Sequence, residues 1–176
     1  MTNLDSESEL KDLQIRECFK RLSDILETGK SQIIQNEKLG NISVDKGFTG
    51  KNGYGLLHII ENRTKEGKND EETTAIIYLV MQAAKDGNIT RNITDKDEPK
   101  RIRRIELEKN GIIALLSLHR NFIEEKWILT GFDSKNKNEE ATEAIQTVIA
   151  RYSYTPEFSY FRKQVGAVVS YLQVSP

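Results

Sequence analysis

The sequence predicts an α+β fold: N-terminal helices packed on a four-stranded antiparallel sheet, with helical segments at the C-terminal end. Three observations predict it. Apolar residues repeat at helical spacing up to about residue 86, and the period shortens toward two between residues 88 and 133. The links inside that second stretch are too short for a parallel crossover. A Thr-Pro pair at 155–156 then opens a further helix.

The elements follow in order. Residues 6 to about 28 read as an amphipathic helix: Ser6 and Glu9 have capping-box spacing, Ile15, Phe19, Leu22 and Leu26 form the apolar stripe, and Gly29 is a stop signal. Residues 30 to 53 hold Gly40, Gly47, Gly50 and Gly53 among polar residues, which predicts a long connection with a short strand near "NISV". A short helix follows from 54 to about 65. Asn69 then caps a helix whose first turn carries Asp70, Glu71 and Glu72, favourable near the positive end of the helix dipole. Ile76, Leu79, Val80 and Ala83 make its stripe, and Gly87 ends it. "NITRNIT" (88–94), "RIRRIEL" (101–107), "GIIALLSLHR" (111–120) and "KWILTGFD" (126–133) read as four strands, with "EKNG" and "NFIEE" as hairpin links. A helix from about 139 to 151 comes next, then the segment capped by Thr155 with Pro156 as its first residue.

Composition narrows the function classes. The chain has 176 residues and a net charge of −1, so a dedicated non-specific nucleic-acid binder, usually far more basic, is disfavoured. Contact with nucleic acid must rest on a local positive cluster. No apolar run reaches the roughly 18 residues that span a bilayer, and the acidic start "MTNLDSESELKD" is not a secretory signal. The single Cys18 makes no internal disulfide, excludes a Cys-based zinc site, and reads as a structural thiol among apolar residues. P-loop, GxSxG, HExxH and dinucleotide motifs are absent, and the two histidines lack ligand spacing, so no metal or cofactor is expected.

Four features carry chemistry. On the helix "GLLHIIENR", Leu56, Leu57, Ile59 and Ile60 fill one arc, while His58, Glu61, Asn62 and Lys65 share the other. His58 therefore faces solvent or a polar cleft, either as a surface histidine or as a general acid or base near neutral pH. Arg63 falls back toward the apolar arc, either snorkelling or lining a cleft. Simple alternation puts Lys126, Ile128, Thr130 and Phe132 on one strand face and Trp127 and Leu129 on the other. Thr130 is either a β-favouring filler or a hydroxyl aimed at a phosphate. "KRIRR" (100–104) is the strongest positive cluster, with Arg101 and Arg103 on one face and Arg104 on the other. It is either a protected strand edge or a phosphate-contacting patch. His119 ends a strand and reads as a surface residue.

"GNISVDKG", "GYGLLHIIENR", a following amphipathic helix and a late strand "WILTGFD" together resemble the phage and polymorphic-toxin branch of the barnase–EndoU–colicin–RelE-like ribonucleases. The resemblance covers about residues 39 to 165. It divides the chain into an N-terminal helical arm or linker (1–38) and a ribonuclease-like domain (39–176). It implies metal-independent RNA cleavage, with 2′-OH attack on the adjacent phosphate giving a 2′,3′-cyclic phosphate and a 5′-OH end. By position it implies His58 as acid/base, Arg63 as phosphate stabiliser, Thr130 as a hydrogen-bond donor to the scissile phosphate, and Glu61 as orienter or second base. Ser159 and Arg162 fall where relatives place polar residues at the cleft, beside Arg101, Arg103 and Arg104 as substrate-binding residues. The implied substrate is tRNA or another structured RNA, and the implied partner a cognate immunity or antitoxin protein. The implied site of action is the cytoplasm, after delivery on a larger secreted or injected protein. Two other readings stand beside this one: a module that binds RNA or protein without cutting, and a structural domain of a phage or mobile-element protein.

Overall fold

A computed structural model of the chain describes residues 3–174. Among these residues lie the helices α1 (Asn3–Thr28), α2 (Gly55–Lys65), α3 (Asp70–Asp86), α4 (Asn138–Tyr152) and α5 (Pro156–Val174). The strands are β1 (Gln32–Asn36), β2 (Gly40–Val44), β3 (Asn88–Thr94), β4 (Ile102–Lys109), β5 (Ile112–Arg120) and β6 (Ile123–Asp133). The fold is α+β as expected. The sheet, however, is six-stranded and mixed, in the order β1-β2-β6-β5-β4-β3, and the expectation of four antiparallel strands is corrected accordingly.

The four expected strands are β3 to β6, antiparallel neighbours throughout. The two additions lie beyond β6. The "NISV" strand is β2, and it meets β6 in parallel, with Ser43 opposite Trp127. β1, "QIIQN", pairs with β2 in antiparallel register and forms the sheet edge. Its two isoleucines are adjacent and its flanks are polar, so it carries no period-two signal in sequence. Asn36 closes the β1–β2 turn by accepting from the Lys38 and Leu39 amides and donating to the Ala84 carbonyl.

β6 also departs from simple alternation. Leu116 pairs with Ile128, but the next pair is Leu115 with Thr130, so a bulge intervenes at Leu129. Ile128 consequently faces the helices, while Thr130 shares the opposite face with Trp127, which pairs with Ser117. Gly131 turns back to the helix layer, where a Cβ would lie 2.2 Å from a Val80 methyl carbon. The expected grouping of Thr130 with Ile128 and apart from Trp127 is thus reversed by one inserted residue.

The core lies between the helix-facing side of the sheet (Leu107, Ala114, Leu116, Ile128) and α3, whose residues from Thr73 to Met81 are all buried. The Asn69–Glu72 capping box forms at the start of α3 as expected. α1 begins at Asn3, so Ser6 lies within the helix rather than at its cap. Phe19 of α1 is fully buried, stacked on Tyr78 at 5.3 Å and edge-on to Phe158 at 5.1 Å. Residues expected to form an arm or linker are therefore built into the common core and, through β1, into the sheet. Cys18 sits half-buried on this helix, and burial pushes its thiol up to about 12, which keeps it protonated and unreactive at neutral pH. No helix of the described residues is long and apolar enough to cross a membrane.

Candidate active site beside the sixth strand

The segment from Asp45 to Tyr54 carries the chain from β2 to α2. Gly47 adopts φ +74°, and any Cβ there would lie 1.7 Å from the Tyr54 carbonyl oxygen, so the turn closes only around glycine. The Leu56 and Leu57 amides donate to the Asp45 and Lys46 carbonyls and set the start of α2. Leu56, Ile59 and Ile60 then enter the core, and this fixes which side of α2 remains for polar groups.

That side holds His58, half-buried. Its Nε2 lies 3.0 Å from Asn62 Nδ2, and its Nδ1 lies 4.0 Å from Glu61 Oε1. With the Asn62 amide donating, Nε2 is the acceptor, so the neutral ring carries its proton on Nδ1, toward Glu61. Glu61 Oε1 also accepts the Gly50 amide at 2.9 Å, so one carboxylate ties the turn to the helix. Gly53 closes over the ring: a Cβ there would lie 2.6 Å from His58 Nδ1. Burial pushes the His58 pKa below its ordinary value. Glu61 opposes this, and the positive Arg63 and Lys65 add to it. The imidazole is therefore neutral at neutral pH and able to accept a proton.

Arg63 points elsewhere. It is only 4% exposed and lies on the core side of α2, as the helical spacing implied. Its Nη2 donates to Glu66 at 3.1 Å, and its Nη1 lies 4.0 Å from Asp133, which also attracts Lys68 at 3.7 Å. Burial pulls its pKa down, with Glu66 and Asp133 opposing. Asp133 shares the helix-facing side of β6 with Gly131, two residues away. Thr130 faces the other way, and its Oγ1 is buried without a hydrogen-bond partner. The expected convergence of Arg63 and Thr130 does not occur, because the buried guanidinium is drawn to the carboxylate on the far face of the strand.

The turn before His58 does reach the sheet face that holds Thr130. Tyr54, from the turn against which His58 rests, sets its ring edge-on to Trp127 at 4.8 Å. Trp127 and Thr130 share that sheet face. Arg104 extends the row, pairing with Ser117, which in turn pairs with Trp127. Arg103 occupies the opposite face of β4, and Arg101 precedes the strand, its backbone closing the loop from Asp95. Ser159 and Arg162 lie on α5, which packs with α1, α2 and α3 in the helix layer and not on the Trp127 face. Of the expected substrate-binding residues, only Arg104 shares a face with Thr130.

A residue not singled out in sequence completes the rim. The Arg120 guanidinium lies 4.5 Å from the Trp127 ring centre and 5.7 Å from that of Tyr54, and it donates to Asp45. Burial pushes Asp45 up, but hydrogen bonds from Ser31, Arg120 and Ser43 outweigh it and hold the carboxyl below its ordinary range. Asp45 and Arg120 are 75 positions apart, so no local pattern reveals the pair. His119 contributes its carbonyl, which accepts from Trp127 Nε1 at 3.1 Å. Among the described residues no group of three His, Cys, Asp or Glu side chains could hold a metal ion. Comparison of the chain with protein-family models, with curated proteins and with solved structures found no match.

Proposed function

We propose that the chain is a metal-independent endoribonuclease of the toxin type, acting on tRNA or another structured RNA. The observation that carries this reading is the neutral His58 imidazole on the polar side of α2, with Nε2 3.0 Å from the Asn62 amide and Nδ1 4.0 Å from Glu61, behind a turn whose Tyr54 packs on Trp127. In the proposed reaction His58 takes the proton of the ribose 2′-OH at Nε2, for which the substrate hydroxyl must displace the Asn62 amide. The 2′-oxygen bonds to phosphorus, the bond to the 5′-oxygen breaks, that oxygen takes a proton from solvent water, and His58 returns its own proton to solvent. The Thr130 hydroxyl, buried and without a partner, donates to the phosphorane once substrate uncovers it, and Arg104 is the cation on the same sheet face. Glu61 acts as the orienter of His58, because its carboxylate is held by the Gly50 amide, and Arg63 is structural. On this reading a cognate immunity or antitoxin protein restrains the activity, and the site of action is the cytoplasm.

The second reading is an RNA-binding module that does not cut. The engagement of Arg63 by Glu66 and Asp133 favours it, because it removes the cation expected beside the scissile phosphate.

Total RNA and tRNA incubated in EDTA with wild type and His58→Ala separate the two. Cleavage is expected to give 2′,3′-cyclic phosphate and 5′-OH ends, to fall by about 100-fold or more in the variant, and to rise with pH along a limb centred below the ordinary histidine value of 6.5. RNA retention without products supports the second reading. Equal cleavage by both proteins removes His58 from the mechanism.

A further inference from the structure

The turn before α2 presents an aromatic ring to solvent. Phe48 is 64% exposed, yet its backbone is fixed: its amide donates to the Tyr54 carbonyl, and the Tyr54 amide donates back, both at 3.0 Å. Its ring meets Tyr54 edge-on at 5.6 Å, Tyr54 meets Trp127, and Arg120 lies over Trp127. Phe48 is thus the solvent end of a rigid ladder of three rings and a guanidinium. Lys46 and Lys51 flank it in sequence, and the single carboxylate between residues 45 and 54, Asp45, is buried and satisfied by Ser31, Ser43 and Arg120. The remaining charges of the turn itself, Lys46 and Lys51, are positive, in a chain whose net charge is −1, and the nearest carboxylate, Glu61, is engaged by the Gly50 amide. The same turn is bonded to Glu61 through Gly50 and touches His58 through Gly53.

A pre-ordered ring with cations on either side suits a ligand that offers a flat π-face between two phosphates. An unpaired nucleobase in a single strand has that form. We propose that Phe48 is a stacking subsite for an unpaired nucleobase next to the phosphate on which His58 acts, with Lys46 and Lys51 meeting the flanking phosphates. The inference rests on the ribonuclease reading for the identity of the adjacent phosphate.

The probe is a short single-stranded 2′-O-methyl oligonucleotide of mixed sequence, which lacks the attacking hydroxyl and so reports binding alone. Phe48→Leu is expected to weaken binding by about 10-fold, and Phe48→Tyr to restore it, since stacking needs a ring rather than an apolar side chain. Lys46→Ala with Lys51→Ala is expected to flatten the salt dependence of binding. Equal affinity in wild type and Phe48→Leu, or no binding by wild type, overturns the subsite. Unmodified RNA separates the two proposals. Phe48-dependent binding without His58-dependent cleavage keeps the subsite and removes the nuclease. Cleavage indifferent to Phe48 does the reverse.

Discussion

Asp45 is the residue on which most of the candidate site depends. Its carboxylate accepts from Ser31 just before β1, Ser43 on β2 and Arg120 at the end of β5, and its carbonyl accepts the Leu56 amide of α2. Replacing it with asparagine keeps the shape but removes the charge that holds Arg120 over Trp127. Hydrogen bonds to charged groups stabilise by about 1.5–3 kcal/mol, so Asp45→Asn is expected to cost about 2 kcal/mol at neutral pH. The pH dependence has a definite sign. The folded carboxyl titrates below its ordinary value of 3.8, so the folded state binds fewer protons than the unfolded one as pH falls. The stabilisation is complete above 3.8 and is lost as pH drops through the folded value. Urea unfolding of both proteins should therefore show a gap that is full at neutral pH and shrinks in strong acid. A constant gap would mean that Asp45 acts by packing alone.

At the scale of elements, the hairpins show how far local pattern reaches. The β4–β5 turn uses Asn110 and Gly111, both at positive φ, the pair that such two-residue turns favour. The β5–β6 turn has the same form with Asn121 and Phe122, at φ 53° and 67°. Phe122 is 98% exposed, so it bears the left-handed strain and gains no packing. Phe122→Gly is expected to stabilise the fold by about 1 kcal/mol, raising Tm by about 2–4 °C in thermal unfolding. An unchanged or lower Tm would show that Phe122 makes contacts in the folded state beyond those of its turn. The strands β3 to β6 were legible because their alternation and turn residues are local. β1 was not, because an edge strand with adjacent isoleucines has no alternation to show. The β6 bulge was not, because one inserted residue at Leu129 leaves no mark in the local pattern of a strand whose pairing lies in β5. That single shift decides which residues stand with Thr130, and so the His58 helix was legible while the residues on the Thr130 face were not.

At the scale of the whole molecule, the same limit applies to the division of the chain. Nothing within residues 1–38 signals what they pack against, since an amphipathic helix reads alike whether it docks or projects. The structure places Phe19, Leu22 and Ile25 in the core, with Phe19 among Tyr78, Phe158 and Phe161 from the two helices α3 and α5. Arg16 adds a two-pronged bond to Glu157 at 2.8 and 3.0 Å, but both groups meet solvent and the pair contributes little. The aromatic contact decides the energetics. Truncating a fully buried phenylalanine typically costs about 3–5 kcal/mol, a large share of the roughly 5–15 kcal/mol that a domain possesses. Phe19→Ala is thus expected to remain folded with a clearly lower urea midpoint. Residues 39–176 alone lose that whole face of α1 and also β1, which leaves the β2 edge unpaired. This shorter chain is expected to lack a cooperative unfolding transition by circular dichroism. A sharp transition from it would mean that the first helix is an appendage after all, and that α3 and α5 close the core without it.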